Sequence, residues 1–284
     1  MATQPYEEAG TRGYGEPVGI RLLAAMEGAG ADPFTTAQAI SEGAGLGLRP
    51  GHAITILHRL VAAGWITRVK KGLYAVNDPV TRLPKAPPFA IGTAMATPSA
   101  VSHWSALQHW GLTEQVPTDI TLSSPRRTYP PSDGMHSADG RPVWTVGGVR
   151  YEFITVAPAR FFGITQVWVD DRHQVPMFDR ERALLDTFHH FHIFGSLAVA
   201  LEILEAHLSE LDIDRLAEYA GKLGVAAVVK RMGWALEEFG VAPDLLAPLR
   251  AYPSRGDSPL DPGRPPRGRH NPTWHVIENL RHAG

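Results

Sequence analysis

The sequence predicts an α+β protein, in which three helices and a β-hairpin precede a larger domain of mixed strands followed by a helical array. Three observations support this fold class. Alternating apolar runs around glycine pairs indicate strands, apolar residues at helical spacing after capping residues indicate helices, and a proline-rich stretch separates the two regions. The 284 residues are 44% hydrophobic and 20% charged, which is typical of a globular protein.

Composition excludes several classes of protein. The chain contains no cysteine, so disulfides, thiol nucleophiles and thiolate metal sites are excluded. No apolar run approaches the roughly 18 residues that a membrane-spanning helix needs. The first residues have neither an apolar signal core nor a basic presequence. We therefore expect a cytoplasmic protein without membrane association, and we interpret residues 1–16 as a flexible lead-in.

The N-terminal module, residues 17–85, is predicted to contain three helices. The first begins at Pro17. A capping box begins the second, because the Thr35 hydroxyl can accept from the amide of Gln38 while the Gln38 side chain reaches back. The third begins near Pro50, since proline suits a first helical turn, and it ends before Gly64, where positive φ is tolerated.

The third helix is predicted to have an apolar face and a polar face. Its buried side is expected to consist of Ile54, Leu57, Leu60 and Val61. The polar face contains residues 52, 55 and 59, which share a side because their spacing is i, i+3 and i+7. Hydrogen-bonding and cationic groups on one helix face are what a helix in the major groove of DNA needs.

Two β-prone runs, 65–69 and 73–76, flank Lys70-Lys71-Gly72 and predict a hairpin with adjacent lysines at its tip. Gly72 can take positive φ and allows a close approach of the turn to a partner. Three helices followed by a basic hairpin predict a winged helix-turn-helix. In such a fold the third helix reads base edges while wing lysines neutralise phosphates.

Charge is distributed unevenly along the chain. Residues 49–85 contain seven basic residues and one acid, a formal charge of +6 over 37 residues. Because the whole chain carries −2, the remainder carries −8. A basic segment on an acidic protein is typical of an appended nucleic-acid-binding module. The predicted DNA-binding residues are Arg49, His52, Thr55, His58, Arg59, Arg68, Lys70 and Lys71.

The stretch 77–92 contains four prolines and predicts a semi-stiff linker without regular structure. We place the domain boundary near residue 86, so that the larger α+β domain covers 86–284. Its first helix is predicted to begin after Thr97-Pro98 and to extend to Gly111.

Strands and helices follow in the larger domain. Candidate strands are 118–124, 142–156 and 161–169, and Gly147-Gly148 predicts a hairpin in the second of these. After about residue 178 the pattern becomes helical, with Asp179 as the first cap. The Pro- and Arg-rich stretch before the closing segment is predicted to be a long loop.

Four stretches occur in a suggestive order between about Pro17 and Leu280: "KKGLYAV", "SAVSHWSALQHWGLTEQ", "FDRERALLD" and "LDPGRPP…NPTWHVIENL". Their order and spacing resemble the AbiEi family of bacterial abortive-infection and toxin–antitoxin proteins. The resemblance implies an antitoxin whose winged helix represses its own operon at inverted repeats in the promoter. It also implies a C-terminal antitoxin domain that counters an AbiEii-like nucleotidyltransferase toxin, directly or indirectly.

Two other hypotheses stay open at this point. The winged helix can instead dock a protein, which would make the chain an interaction adaptor without DNA binding. Alternatively, the chain is a metal-assisted hydrolase built on Asp170, Asp186, His189 and His190. Within the run of histidines only His189 and His192 have an i, i+3 spacing, which is weak for a metal site.

Known catalytic motifs are absent from the sequence. It contains no P-loop, GxGxxG, HExxH or GxSxG pattern. We therefore expect no enzymatic activity, no catalytic residues, no bound metal and no other cofactor. The sequence assigns no role to His189, His190 and His192 or to the Arg-rich stretch 255–269.

Overall fold

The computed structural model of the protein describes residues 17–129, 136–137 and 140–280. The predicted lead-in, 1–16, lies outside the described residues. The architecture is α+β, as the sequence predicts, and the chain divides into two compact units, Met1–Lys85 and Ala86–Gly284. None of the helices in the described part of the chain is long and apolar enough to cross a membrane.

The first unit has the winged helix-turn-helix fold that the sequence predicts. Its elements in chain order are α1 (Val18–Gly28), β1 (Phe34–Thr35), α2 (Thr36–Gly45), α3 (Pro50–Ala62), β2 (Ile66–Lys70) and β3 (Leu73–Val76). The three strands form an antiparallel sheet in the order β1-β3-β2, so β3 is central. The hairpin of β2 and β3 is the wing.

Local sequence signals explain where these helices begin and end. The predicted capping box is present: the Thr35 amide donates to Gln38 Oε1 at 2.8 Å, and the Gln38 amide donates to Thr35 Oγ1 at 3.2 Å. Pro50 occupies the first turn of α3. Gly64 follows the helix with a φ of 72°, which ends the helix in the left-handed region that glycine favours.

The short strand β1 was not predicted. Two residues are too few to show strand periodicity, but Phe34 is fully buried and its ring stacks on Tyr74 of β3 with centroids 5.8 Å apart. The Asp32 carboxylate also accepts a hydrogen bond of 3.0 Å from the amide of Val76. These tertiary contacts, rather than local propensity, form the third strand of the wing sheet.

The predicted buried side of α3 is confirmed at Leu57 and Leu60 and is wrong at Ile54. Ile54 is 37% exposed, and Val61 is only half-buried. The residues that face the core are Ala53, Ile56, Leu57 and Leu60. Their spacing of i, i+3, i+4 and i+7 defines one stripe of a helix, and Ile54 lies about 100° away from Ala53 around the helix axis.

The predicted linker without regular structure is wrong for its second half. Helix α4 (Pro88–Met95) begins inside that stretch, because Pro87 and Pro88 occupy the N-cap and first positions, where no amide hydrogen is needed. Gly92 packs closely: a Cβ there would lie 3.1 Å from side-chain atoms of Leu122 and Tyr151.

The second unit is built on a six-stranded mixed sheet in the order β6-β7-β5-β4-β9-β8. The strands are β4 (Ala100–Val101), β5 (Asp119–Ser124), β6 (Val143–Val146), β7 (Val149–Thr155), β8 (Ile164–Trp168) and β9 (Gln174–Phe178). The pairs β5/β7 and β4/β9 are parallel, and the other neighbours are antiparallel. The predicted hairpin is present, with positive φ at both Gly147 and Gly148.

Two elements of the second unit differ from the prediction. The helix expected from Thr97-Pro98 to Gly111 is instead the strand β4 followed by the shorter helix α5 (His103–His109). Pairing of β4 with β5 and β9 outweighs the local capping signal. Strand β9 was missed because it contains Pro176, which argues against a strand in the interior of a sheet.

Helices follow the sheet, as predicted. They are α6 (Arg180–His189), α7 (Leu197–His207), α8 (Ile213–Leu223), α9 (Ala226–Glu238) and α10 (Ala247–Arg250). The Asp179 carboxylate caps α6 by accepting from the amide of Arg182 at 2.9 Å. A single 3-10 turn, Phe191–Ile193, then continues the predicted helix.

The C-terminal stretch is not simply the predicted long loop. It forms a three-stranded sheet of β10 (Ser258–Pro259), β11 (Arg269–Asn271) and β12 (Val276–Glu278). Directly after β12, the side-chain amide of Asn279 exchanges two hydrogen bonds of 2.8 Å with the backbone of Asp261. A side chain thus makes the contacts that a longer strand would make with its backbone. The arginines of the stretch are all exposed: Arg255, Arg264, Arg267 and Arg269.

Candidate nucleic-acid interface

The exposed face of α3 carries the predicted base-reading residues. The side chains of His52, Thr55, His58 and Arg59 are all exposed, on the side of the helix opposite its buried stripe. Arg49, the residue that precedes α3, is exposed as well. The face therefore offers imidazole, hydroxyl and guanidinium groups to a partner.

Thr55 is already partly engaged within the helix. Its hydroxyl donates a hydrogen bond of 2.9 Å to the carbonyl oxygen of Gly51, one turn earlier. The hydroxyl hydrogen is therefore occupied, while its oxygen lone pairs and its methyl group remain available. A hydrogen-bond acceptor and a methyl group suit contacts with base edges in the major groove.

The wing presents its three cations through an irregularity in β2. Arg68 pairs with Tyr74, but Lys70 pairs with Leu73, so the register shifts between them and Val69 is the extra residue. Val69 is buried, whereas Arg68 and Lys70 are both exposed. A bulge of this kind changes the direction of the side chains around it.

The tip of the wing is a two-residue turn of Lys71 and Gly72. Gly72 has a φ of 78°, as the sequence predicts for this position. Its carbonyl oxygen accepts a hydrogen bond of 2.9 Å from the amide of Thr36 at the start of α2. This bond fixes the tip while Lys71 stays exposed.

A buried asparagine holds the open end of the wing. Asn77 is 4% exposed; its Oδ1 accepts from the Thr67 hydroxyl at 2.8 Å, and its Nδ2 donates to the Gly64 carbonyl at 3.1 Å. These bonds join the end of β3 to β2 and to the turn after α3. These hydrogen bonds therefore hold the wing in a fixed position relative to the end of α3.

Two of the seven basic residues of segment 49–85 are engaged within the unit. Lys85 lies 2.7 Å from the Glu27 carboxylate, and the Arg82 guanidinium lies 4.8 Å from the centre of the Trp65 ring. Of the five other cations, Arg49, Arg59, Arg68 and Lys71 have no carboxylate within ion-pair distance among the residues that the structure describes. Their positive charge is available to an external anion.

The one acid of the segment stays ionised. Hydrogen bonds from the backbone amides of Thr81 and Val80 lower the pKa of the Asp78 carboxyl. Asp78 therefore serves to order the turn after the wing.

The structure brings the eight predicted residues into one unit, in which α3 packs against β2. Sequence reasoning missed Ile54, which is exposed on the same helix.

The metal-assisted hydrolase hypothesis named four residues, and the structure places only two of them, Asp186 and His190, in one group of donor atoms. Asp170 lies in an exposed turn and is hydrogen-bonded to His173 Nδ1 at 2.8 Å. Asp186 and His190 belong to a group that is completed by His103 rather than by His189. Spacing along the chain could not indicate His103, which lies on a different helix.

Burial changes the protonation of these histidines. Burial lowers the pKa of His103 well below its usual value, and it lowers the pKa of His190 to about 3 and that of His189 to about 4. Neighbouring charges from Arg182 act in the same direction. All three imidazoles are therefore neutral at pH 7.

Comparison with known families finds a match within the first unit. Residues 22–77 match the family AbiEi_4, described as "Transcriptional regulator, AbiEi antitoxin". The match extends from α1 to the end of the wing, about a fifth of the chain. This segment is similar to AbiEi-type transcriptional regulators, whereas the other three stretches that resemble the family lie outside the match.

Comparison with solved structures extends to most of the chain. The crystal structure of the RV2827C protein from Mycobacterium tuberculosis is similar over 93% of this chain and 92% of that chain, with a TM-score of 0.60. The two sequences are 17% identical, so the similarity shows the fold alone. A comparison with curated proteins found no match.

Proposed function

We propose, starting from the match to AbiEi-type regulators at residues 22–77, that this protein is an antitoxin that represses its own promoter. In this proposal the protein also counteracts a nucleotidyltransferase toxin and has no enzymatic activity of its own. The family match supports the general role of an antitoxin and transcriptional regulator. The observation that carries DNA binding is the exposed polar face of α3 beside a wing with three exposed cations.

In the proposed complex α3 enters the major groove. Arg59 has the planar fork of donors that pairs with guanine O6 and N7, the commonest specific contact in such grooves. His52, Thr55 and His58 supply hydrogen bonds to neighbouring base edges. Because these four side chains are exposed on one face, they can reach bases without any rearrangement of the helix.

The wing contributes affinity rather than specificity. Arg68, Lys70 and Lys71, together with Arg49, neutralise phosphates and release condensed counterions. Such contacts do not depend on sequence, so they hold the protein on any duplex and set its orientation. Binding is therefore expected to weaken steeply as salt rises.

Charge reversal on the wing tests this arrangement. The double variant Lys70→Glu/Lys71→Glu should weaken binding to all DNA sequences alike and should reduce the slope of log affinity against log salt by about 2. The matched control is Lys85→Glu, which makes the same change of charge per residue in the same unit. Lys85 is paired with Glu27, so we expect little effect on DNA binding.

A salt slope that stays unchanged in the double variant would contradict the role of the wing. If the wild-type chain itself shows no salt-dependent binding to DNA, the remaining hypothesis is the interaction adaptor, in which the same face docks a protein. That hypothesis predicts a stable partner that co-purifies with the chain. A single titration with DNA at two salt concentrations therefore distinguishes the two hypotheses.

The toxin partner is proposed from the family resemblance. The AbiEi pattern implies an AbiEii-like nucleotidyltransferase, and paired inverted repeats in the promoter imply that two copies bind neighbouring half-sites. Co-expression of this chain with an AbiEii-like nucleotidyltransferase toxin should restore growth that the toxin alone arrests. Continued arrest, with both proteins present at equal levels, would contradict the antitoxin role.

A further inference from the structure

Three donor side chains meet in the interior of the second unit. His103 stands at the start of α5, Asp186 is on α6, and His190 directly follows α6. One ligand atom from each lies within 4.8 Å of the other two. His103 and Asp186 are fully buried, and the His190 side chain is 18% exposed.

The two imidazoles already face each other. His103 Nε2 and His190 Nδ1 share a hydrogen bond of 2.9 Å. Two ligands about 2.0–2.1 Å from a tetrahedral ion lie about 3.3 Å apart. The rings therefore need to separate by only a few tenths of an ångström for an ion to replace the shared proton.

The carboxylate supplies an independent observation that points to a cation. Asp186 Oδ2 is buried and has no hydrogen-bond partner among the residues that the structure describes. The carboxylate lies 3.9 Å from each ring, with Oδ2 at that distance from His103 Nδ1 and Oδ1 at that distance from His190 Nδ1. Arg182 pairs with the other oxygen, Oδ1. Buried acceptors without partners are rare in native proteins, and an unseen ion is one of the recognised reasons for them.

The surroundings of His103 fix its ring. Its Nδ1 is hydrogen-bonded to the Ser102 hydroxyl at 2.9 Å, and Ser123 Oγ donates to the same hydroxyl at 2.9 Å. Metal-binding histidines are commonly oriented by such outer contacts through the ring nitrogen that does not bind the ion. The backbone of His103 has a φ of 51°, a strained conformation that is enriched at functional sites.

We propose that His103, Asp186 and His190 bind one divalent transition-metal ion of the zinc class. Two imidazole nitrogens and one carboxylate oxygen are a donor set that suits Zn²⁺, whereas Mg²⁺ and Ca²⁺ prefer oxygen ligands. Arg182 becomes an outer contact that holds the carboxylate through Oδ1. The proposal concerns binding and adds no reaction to the function above.

The partly exposed member of the donor group borders a cavity. His190 also lines a cavity of about 490 Å³, together with Thr128, Arg141 and His192. Three protein ligands leave one position of a tetrahedral ion open, and a water molecule or an anion would fill it. The cavity can supply either one.

A second group of donors on the surface provides a control. Asp257, His270 and His275 also lie within reach of one another, but all three are exposed. The Asp257 carboxylate is already hydrogen-bonded to His270 Nε2 at 3.0 Å. This group has no buried carboxylate oxygen without a partner, so zinc that is lost on mutation of His270 would identify surface binding.

The test uses the full chain without a histidine tag, freed of metal with a chelator and then dialysed against Zn²⁺. Elemental analysis should find one zinc per chain, and Mg²⁺ should not compete. His190→Gln should lower the affinity for zinc at least tenfold. His192→Gln, a change in the same segment outside the donor group, and His270→Gln should retain the ion.

Two results would overturn the proposal: a wild-type chain that retains no zinc, or zinc that is lost in His270→Gln but kept in His190→Gln. If His190→Gln does not fold, anomalous diffraction at the zinc edge from wild-type crystals decides the question. A peak between His103, Asp186 and His190 supports the site. A peak elsewhere, or none, contradicts it.

Discussion

Arg59 is the residue on which sequence preference should depend most. Its guanidinium is exposed on α3 and has no carboxylate partner among the described residues, so its donors are free for a base pair. Arg59→Ala should cost about 1–3 kcal/mol on the specific site and relax the preference for that sequence. The control is Arg21→Ala, an exposed arginine on α1 outside the proposed interface. Equal losses on specific and random DNA would remove Arg59 from its assigned role.

Ile54 and Ile56 test the orientation of α3 at the same scale. Ile54 is 37% exposed and Ile56 is 3% exposed, although the sequence alone favours burial of Ile54. Ile56→Ala should destabilise the first unit by about 2–5 kcal/mol, because it leaves a cavity in the core. Ile54→Ala should cost less than about 1 kcal/mol. Urea unfolding measures both, and the reverse order would show that the helix is rotated.

Glycine in helix α9 provides a prediction at the scale of one element. A Cβ at Gly233 would lie 2.0 Å from the Trp274 ring, so this helix can pack on the C-terminal stretch only with glycine there. Gly233→Ala should destabilise the second unit by about 1–3 kcal/mol or more. Gly221→Ala in α8 is the matched control, since nothing lies within 4 Å of the added atom.

The control should even stabilise the protein, by up to about 1 kcal/mol, because alanine is the better helix former. Thermal unfolding of both variants measures the difference. If the two substitutions have the same effect, the close contact between α9 and Trp274 is not present in solution. That result would leave the assignments of capping and turn residues elsewhere in the chain unchanged.

Elements with a local signal could be predicted from the sequence. The capping box at Thr35, the proline at the start of α3 and the glycine pair of the β6/β7 hairpin each fix a backbone conformation through nearby residues. The strands β1, β4 and β9 could not be predicted, because two of them have two residues and the third contains proline. Their conformation depends on partner strands that are distant in the sequence.

The candidate sites divide in the same way. The eight DNA-contact candidates lie within 23 consecutive residues, so helical spacing and a charge count were sufficient to select them. The group of His103, Asp186 and His190 joins two elements that are far apart in the sequence. Spacing rules cover one helix at a time, and for this reason they named His189 where the structure places His103.

At the scale of the whole molecule, the charge pattern shapes the proposed activity. The segment 49–85 carries +6 and the remaining chain carries −8. An acidic remainder repels DNA, so only the winged helix should approach the duplex. Nonspecific binding should therefore be weak at physiological salt, and the specific contacts of α3 should dominate the preference for the promoter.

The most direct test of the account is fluorescence anisotropy of the full-length protein on DNA from its own upstream intergenic region. The titration is made at about 50 mM and about 200 mM salt, with scrambled DNA as competitor. We expect tight binding that weakens at the higher salt and that resists the competitor. Absence of binding at the lower salt would contradict it, and Lys71 and Arg59 would then face a protein or water.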